Sequence, residues 1–378
     1  MPSDRQTVLY FSSFGNLRWG GQKSLYHLAT RLDRSVFRPH VVVPSEDGLA
    51  AALREAGVGV TVLDLPALTR GSAARAARAL QSVIALAGRL DARILHTDGP
   101  RNTFYAGIAA QLRRRPLVWH IRSSDRDPYD RLLYGLSSRI VLVAGSLRSR
   151  FEWAAGEGKF AVIHNGVDTR AFTPEADPPR RLMARLGIDG CRILIASFTR
   201  VEPAKGQLHL IEACAALRPV GADFHVVVAG EVTDEAYCTR CRRCAEALGI
   251  EDRVSFTGHI DEAARFMAEV DLVVVCSVSG EAFPRTTIEA MATGRPVVVT
   301  SVGGAPEAVE EGITGFVVAP ADVEALQARI VQLVQDAALR RRMGEAARRR
   351  AEAHFSIARN VRKTEFLYGD LLGETRRG

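Results

Sequence analysis

Two acids, Glu281 and Glu289, stand eight residues apart in the run S-G-E-A-F-P-R-T-T-I-E-A-M-A-T-G-R-P, Ser279–Pro296. The run follows an apolar stretch, Leu272–Cys276, that reads as a buried strand, and it opens a helix near Thr286. One carboxylate then sits in the loop at the strand's carboxyl end, the other one turn into the helix. Carboxylates in such places accept hydrogen bonds from hydroxyls, which suits sugar or ribose recognition. The helix start offers unpaired N–H groups to a phosphate, with Thr286 and Thr287 as expected caps. Taken alone, the spacing fits a capped helix with two surface glutamates; its surroundings change the reading.

The loop Thr199–Gly206, T-R-V-E-P-A-K-G, leaves another strand-like run, Ile193–Ser197, and carries Arg200 and Lys205 five residues apart. Arginine offers a bidentate fork and lysine a point charge, so the pair can clamp a diphosphate. Lys205 is one of only four lysines (with Lys23, Lys159 and Lys363) in a chain with 50 Lys+Arg. In the first half, Trp19-Gly20-Gly21 ends the loop after the first strand, where glycine lets a backbone approach a ligand closely. It is not G-x-G-x-x-G, so no dinucleotide fingerprint is present. His120, in V-W-H-I-R-S, ends the fifth strand candidate and is expected to face the same cleft from its opposite wall; the alternative is a core histidine.

What must position these residues is a pattern of short β-branched runs alternating with helical stretches. In the first half the strands are Thr7–Ser12, His40–Val43, Val60–Leu65, Ile94–Thr97, Leu117–Ile121, Ile140–Ala144 and Ala161–His164. The helices between them are Gly21–Leu32, Leu49–Ala56, Ala73–Leu90, Asn102–Leu112 and Tyr129–Leu136. The alternation restarts at Ile193 and gives six more strands, including Leu272–Cys276, Pro296–Thr300 and Gly315–Val318, with helices such as Lys205–Leu217 and Thr286–Ala292 between them. Such alternation predicts two α/β, Rossmann-like doubly wound domains with mostly parallel sheets. Asp168–Pro179, with Pro174, Pro178 and Pro179, is the expected boundary. Ligands of open α/β sheets bind beyond the strands' carboxyl ends, so a site between two facing domains is expected.

Charge and composition narrow the partners. Residues 1–178 hold 24 Lys+Arg against 16 Asp+Glu, and the remainder 26 against 27, so the whole excess of +7 lies in the first half. A basic half predicts an anionic partner: nucleic acid, an anionic membrane surface or a phosphorylated substrate. Nucleic acid fits poorly, because no stripe interleaves aromatic and basic residues. No apolar run approaches the roughly 20 residues of a membrane span. The polar N-terminus lacks a signal peptide's apolar core, so a cytoplasmic location is expected. Six cysteines in 378 residues do not suggest a disulfide framework. Cys238, Cys241 and Cys244 could suggest metal, but they drift around a helix and lack a fourth ligand.

Together these motifs resemble the retaining glycosyltransferases of family 4, which have the GT-B fold. The resemblance runs from about Thr7 to about Phe355. It is carried by W-G-G-Q-K-S-L-Y-H-L-A, V-I-H-N-G-V-D-T-R-A-F, T-R-V-E-P-A-K-G, the Ser279–Pro296 run and S-V-G-G-A-P-E-A-V-E-E-G-I-T-G-F-V-V, in that order. It implies that Arg200 and Lys205 bind the diphosphate of a UDP-, GDP- or ADP-sugar, that Glu289 contacts the ribose and that Glu281 faces the donor sugar. Gly21 would lie near the phosphate or acceptor, His120 near the reacting sugar, and Gly258, His259 and Ile260 at the nucleobase. Ala282, Phe283, Pro284, Arg285 and Thr286 complete the donor side. The implied domains are an acceptor-side domain over 1–170, a nucleotide-sugar domain over 171–355 and a helix over 356–378 returning to the first. The resemblance also implies that no divalent metal is required.

Two positions depart from the family pattern. Ala282-Phe283-Pro284 replaces Gly-Phe-Gly, and Pro284 has no N–H to give a donor. His164 stands where a proline usually precedes Asn-Gly. The expected setting is cell-envelope or exopolysaccharide assembly, with a sugar or lipid-linked acceptor and peripheral contact with the inner face of the membrane. A sugar-nucleotide 2-epimerase of the same fold is the competing enzyme, and a nucleic-acid-binding protein the competing non-enzyme.

Overall fold

The computed structural model describes residues 5–175, 184, 187 and 193–373. The chain divides into two compact units, Met1–Asn165 with Ile357–Gly378, and Gly166–Ser356.

The first unit is built on seven parallel strands: β1 (Gln6–Phe11), β2 (Phe37–Val43), β3 (Gly59–Val62), β4 (Ala92–Thr97), β5 (Leu117–Ile121), β6 (Arg139–Leu142) and β7 (Phe160–Val162). Their order is β3-β2-β1-β4-β5-β6-β7. Between them run α1 (Gly20–Arg31), α2 (Gly48–Glu55), α3 (Ala73–Arg89), α4 (Pro100–Arg113) and α5 (Asp130–Leu136). Helices on both faces explain why β1 is buried from Thr7 and apolar from Val8 to Phe11. Side chains alternate across a strand, so Val8 and Tyr10 join a core with Leu25 and Leu53, while Leu9 and Phe11 join one with Val83 and Tyr105. The chain's last helix, Ile357–Leu372, belongs to this unit. It buries Ile357, Val361, Thr364 and Tyr368, an i, i+4, i+7, i+11 stripe. Asn360 Nδ2 donates to the His164 carbonyl at 2.7 Å and the Asp33 N–H donates to Glu365 Oε1 at 2.7 Å, fastening it.

The second unit has six parallel strands: β8 (Ile193–Ser197), β9 (Phe224–Ala229), β10 (Val254–Gly258), β11 (Leu272–Val275), β12 (Val297–Thr300) and β13 (Gly315–Val318), ordered β10-β9-β8-β11-β12-β13. Its helices are α6 (Gln207–Ala215), α7 (Glu235–Ala247), α8 (Ala263–Glu269), α9 (Arg285–Ala292), α10 (Ala305–Ala308), α11 (Val323–Gln335) and α12 (Ala337–Phe355); the terminal helix is α13. Cys238 and Cys241 on α7 enter the apolar core with Ile211, Cys214 and Cys276, and Cys244 is half-buried beside it. Among the described residues no cluster of three or more His, Cys, Asp or Glu could hold a metal, and no helix is long and apolar enough to cross a membrane.

Both sheets grow outward in two directions from a central pair, β1/β4 in the first and β8/β11 in the second. That reversal leaves a crevice at the strands' carboxyl ends, where open α/β sheets bind ligands. Several boundaries differ from expectation for local reasons. The helix expected from Lys205 begins at Gln207, because Gly206 takes a left-handed φ of 68° after a tight turn over Pro203–Lys205. The units part at Asn165, upstream of the proline-rich stretch; Pro178, Pro179 and Cys191 lie outside the described residues.

Candidate functional site

In the second unit, three loops brace one another at the β8/β11 reversal. Gly206 is required twice over: its φ is positive, and a Cβ there would fall 2.1 Å from the Cys276 carbonyl oxygen. Gly303 does the same for the loop after β12, where a Cβ would lie 1.9 Å from the Glu281 carbonyl oxygen. The Val278 N–H donates to Ala204 O at 2.9 Å and the Gly304 N–H to Ala282 O at 2.8 Å. Held this way, Lys205 Nζ sits 2.5 Å from Glu281 Oε1, and Ser277 Oγ donates to the same oxygen at 2.7 Å. Each of the two charged side chains is only 11% exposed. The pair is therefore an ordered charge centre at the crevice rather than two solvated groups.

Glu289 is held differently. Arg285 Nη2 lies 3.0 Å from Glu289 Oε1, one turn apart on α9, and Arg285 Nη1 donates to Gly166 O at 3.1 Å. Thr286 and Thr287 do not cap the helix. Pro284 occupies the cap position, Thr286 Oγ1 donates to Phe198 O at 2.9 Å, and Thr287 Oγ1 is buried with no partner. No side chain caps the first turn, so its N–H groups keep their claim on an anion. Ala282 is braced through its carbonyl, as above, and Phe283 is buried 5.6 Å from the Phe355 ring.

Arg200 lies on the same loop as Lys205 but outside the Lys205–Glu281 pair. Its half-exposed guanidinium pairs with Glu202 at 3.0 Å. Gln207, which sequence reasoning missed, holds that loop: its Nε2 donates to Thr199 Oγ1 at 3.0 Å and to the Arg200 carbonyl at 2.7 Å. Gly258 ends β10, two strands from β8, and His259 and Ile260 follow it. Gly258 has φ 69°, His259 Nε2 lies 3.3 Å from Asp261 Oδ1, and Ile260 is buried.

In the corresponding crevice of the first unit, at β1/β4, hydroxyl and amide groups surround a carboxylate. The Ser13 N–H and Oγ both donate to Asp98 Oδ1, at 3.0 and 2.7 Å, and Asn102 Nδ2 reaches Ser13 Oγ at 3.2 Å. Burial raises the Asp98 carboxyl above its ordinary value, against the pull of Ser13, Arg122 and Asn102. A pocket of about 250 Å³ opens here, lined by Ser12, Ser13, Asp64, Arg101 and Asn102 among others. Gly21 lies near Arg122, but a Cβ on it would meet Arg122 Cδ at an ordinary 3.6 Å, so space does not demand glycine there.

His120 is buried, not an open wall residue. It ends a chain of hydrogen bonds: Tyr10 OH to Tyr368 OH 2.9 Å, Tyr368 OH to His96 Nδ1 2.5 Å, His96 Nε2 to His120 Nδ1 3.2 Å, and Arg122 Nη2 to His120 Nδ1 3.3 Å. Desolvation, then Arg122, push the His96 imidazole down to about 3, and the same causes with His96 hold His120 well below its usual value. Both rings are therefore neutral near pH 7. Arg122 can only donate, so His120 Nδ1 accepts and its proton sits on Nε2. His96 must then donate from Nε2 and accept from Tyr368. The His120 Nε2–H is left buried without a partner. A donor so placed is available to a ligand that reaches it, and costs stability until one does.

Of the residues read from sequence, the structure brings Lys205 to Glu281 and Arg285 to Glu289. It leaves Arg200, His259 and His120 with partners of their own. Tyr10, His96, Asp98, Arg122 and Tyr368 were missed. The period-two placement of His120 and Arg122, and His96-Thr97-Asp98 ending a strand, were the available signals.

A family model described as glycosyl transferases group 1 matches residues 180–350, and one described as Glycosyltransferase Family 4 matches residues 20–171. The chain is similar to the lipopolysaccharide core biosynthesis mannosyltransferase LpcC of Rhizobium leguminosarum bv. viciae, 34% identical over 217 residues. That match covers 57% of this chain and 61% of LpcC, less than two thirds of that protein. Among solved structures, a glycosyltransferase from Rickettsia africae aligns with TM-score 0.87 at 20% identity, covering 98% of this chain and 99% of that one. Anabaena HepE in complex with UDP aligns with TM-score 0.84 at 24% identity, covering 97% and 100%.

Proposed function

This chain belongs to glycosyltransferase family 4, and from that membership we propose that it moves a sugar, with retention, from a nucleoside-diphosphate sugar to an acceptor hydroxyl in cell-envelope glycan assembly. The observation that carries the reading is the part-buried Lys205–Glu281 pair at the β8/β11 reversal, beside a helix start with no side-chain cap. As the anomeric C–O bond breaks, negative charge grows on the departing diphosphate, and Lys205 with the α9 N–H groups meets it. The diphosphate must share or replace Glu281 as the partner of Lys205, which leaves Glu281 to accept from the donor sugar's hydroxyls. Glu289, oriented by Arg285, accepts from the ribose. Pro284 offers no N–H, and Arg285 supplies a charged donor next to it. The acceptor hydroxyl, which gives its proton to the departing phosphate oxygen as it attacks, suits the pocket beside Ser13 and Asn102.

HepE was crystallised with UDP, with UDP and glucose, and with UDP-glucose, and LpcC is named a mannosyltransferase. These support a nucleotide-sugar donor and a lipopolysaccharide-type product without choosing the base, and a 2-epimerase finds no counterpart in those names. The basic half of the chain fits work against an anionic inner membrane face.

A thermal-shift screen against UDP-, GDP- and ADP-sugars identifies the donor. Lys205→Ala and Glu289→Ala are each expected to weaken the best donor at least tenfold. Unchanged binding in both variants overturns the assignment.

A further inference from the structure

One surface of the first unit is unlike its neighbours. β7 is the edge strand of the sheet, and α13 runs beside it, leaving a shallow groove of about 500 Å³ between them. From α13, Arg359, Arg362, Lys363 and Phe366 project into this groove at spacings of three and four, one helical stripe. From the strand side come Val162 and Ile163. Phe366 is 68% exposed and Val162 40% exposed, although the opposite stripe of the same helix is packed into the core. Arg139 is neutralised by Asp370 at 3.1 Å. Arg359, Arg362 and Lys363 make no ion pair among the described residues, and the Lys363 ammonium is lowered by partial burial and by Arg359.

We propose that the β7–α13 groove is where this protein sits on an anionic lipid bilayer, with Arg359, Arg362 and Lys363 against lipid phosphates and Phe366 entering the interface. This deepens the membrane-face reading above by giving it a location. Three uncompensated cations crowded on one helix face repel one another, and only an anionic partner turns that into attraction. Phosphate alone would leave the exposed phenyl ring and the apolar strand edge in water. A bilayer surface satisfies both, because basic side chains meet headgroups while an aromatic ring sinks into the headgroup–acyl boundary. Arg341 and Arg342 on α12 lack this pairing, being exposed with no exposed large apolar residue beside them in sequence; in the run Arg113–Arg115, beside the exposed Leu112, Arg115 is already paired with Asp91 and Arg113 donates to the Ile84 carbonyl.

Co-sedimentation of the full chain with vesicles tests it, comparing pure phosphatidylcholine with an equal mixture of phosphatidylcholine and phosphatidylglycerol at low salt. The chain is expected to sediment with the mixed vesicles only. Each basic side chain at a membrane surface is worth about fivefold in binding, so R362A/K363A is expected to lose about 30-fold. Phe366→Ser is expected to lose about fivefold or more while leaving charge unaltered. R341A/R342A, the same change in charge on α12, is expected to bind as the parent does. Equal binding to both vesicle types overturns the proposal, as does R362A/K363A binding like the parent. Because donor affinity of R362A/K363A is measured alongside and expected to be unchanged, loss of the membrane reading and loss of the donor reading are told apart.

Discussion

The two units carry one strand order, and each brings the loops after two central strands together, yet opposite chemistry fills the two crevices. At β8/β11 the groups are ionised and pre-paired: Lys205 with Glu281, Arg285 with Glu289. At β1/β4 and the neighbouring end of β5, beside the Arg122 cation, the groups that can lose their charge do so or are pushed that way: His96 and His120 lose theirs to burial, and the Asp98 carboxyl is raised. A leaving diphosphate needs fixed positive charge. A sugar hydroxyl needs a directional donor that does not also attract stray anions, and a neutral imidazole provides one. On the function proposed above, the same topology serves two demands, because the crevice is set by strand order while its polarity is set by a few side chains.

The largest expected effect comes from breaking the second unit's loop interlock. A Cβ on Gly206 meets a backbone carbonyl, which cannot swing aside, and its φ of 68° is costly for any L side chain. Gly206→Ala is expected to destabilise this unit by about 3 kcal/mol, followed by urea unfolding. Gly258→Ala is the internal control. Its φ is 69° but nothing lies within 4 Å, so only the left-handed backbone penalty, about 1–2 kcal/mol, applies. Equal losses would mean that the interlock does not hold Lys205 in place.

A smaller effect separates the units by pH. His96 and His120 bind a proton near pH 6.5 when unfolded, but when folded only far lower, near 3 for His96. The unfolded state therefore takes up more protons on acidification, and stability falls as pH drops from 6.5, by about 1.4 kcal/mol per unit for each ring. His40 and His225, also lowered by burial, act in the same direction. Asp98 acts oppositely between its raised folded value and 3.8, where protonation favours the folded state. Between pH 6.5 and 5.5, His96→Gln is expected to flatten the slope by about one proton. A slope unchanged from the parent would show that His96 is protonated in the folded chain.

The division between what could and could not be read from sequence follows the same line. Strand and helix identities were legible because both sheets are covered on two faces and their strands form continuous apolar runs. Lys205, Glu281 and Glu289 were legible because loop motifs are local in sequence. Their partnering was not: Lys205 and Glu281 lie 76 residues apart, and only the packing of Gly206 on Cys276 brings their loops together. Thr286 and Thr287 looked like caps because spacing suggested a start at that point, but Pro284 sets the start one residue earlier and turns both hydroxyls elsewhere. The histidine network was least legible of all, since it joins β1, β4 and β5 to a helix at the far end of the chain.

That network yields the smallest and most specific expectation. Tyr368 contributes one hydroxyl between Tyr10 and His96, so Tyr368→Phe is expected to cost only about 1 kcal/mol, the value of a buried hydrogen bond. In the parent, imidazole nitrogen chemical shifts are expected to report both rings as the Nε2–H form. Without the tyrosine donor, His96 Nδ1 loses its partner while Nε2 still donates to His120 Nδ1, so His96 should keep the Nε2–H form and only its Nδ1 shift should move. His120 should keep the Nε2–H form, because Arg122 still donates to its Nδ1. A parent spectrum showing His120 protonated at Nδ1 would remove the free donor from the first unit, and with it the contrast between a crevice that offers charge and one that offers a neutral N–H.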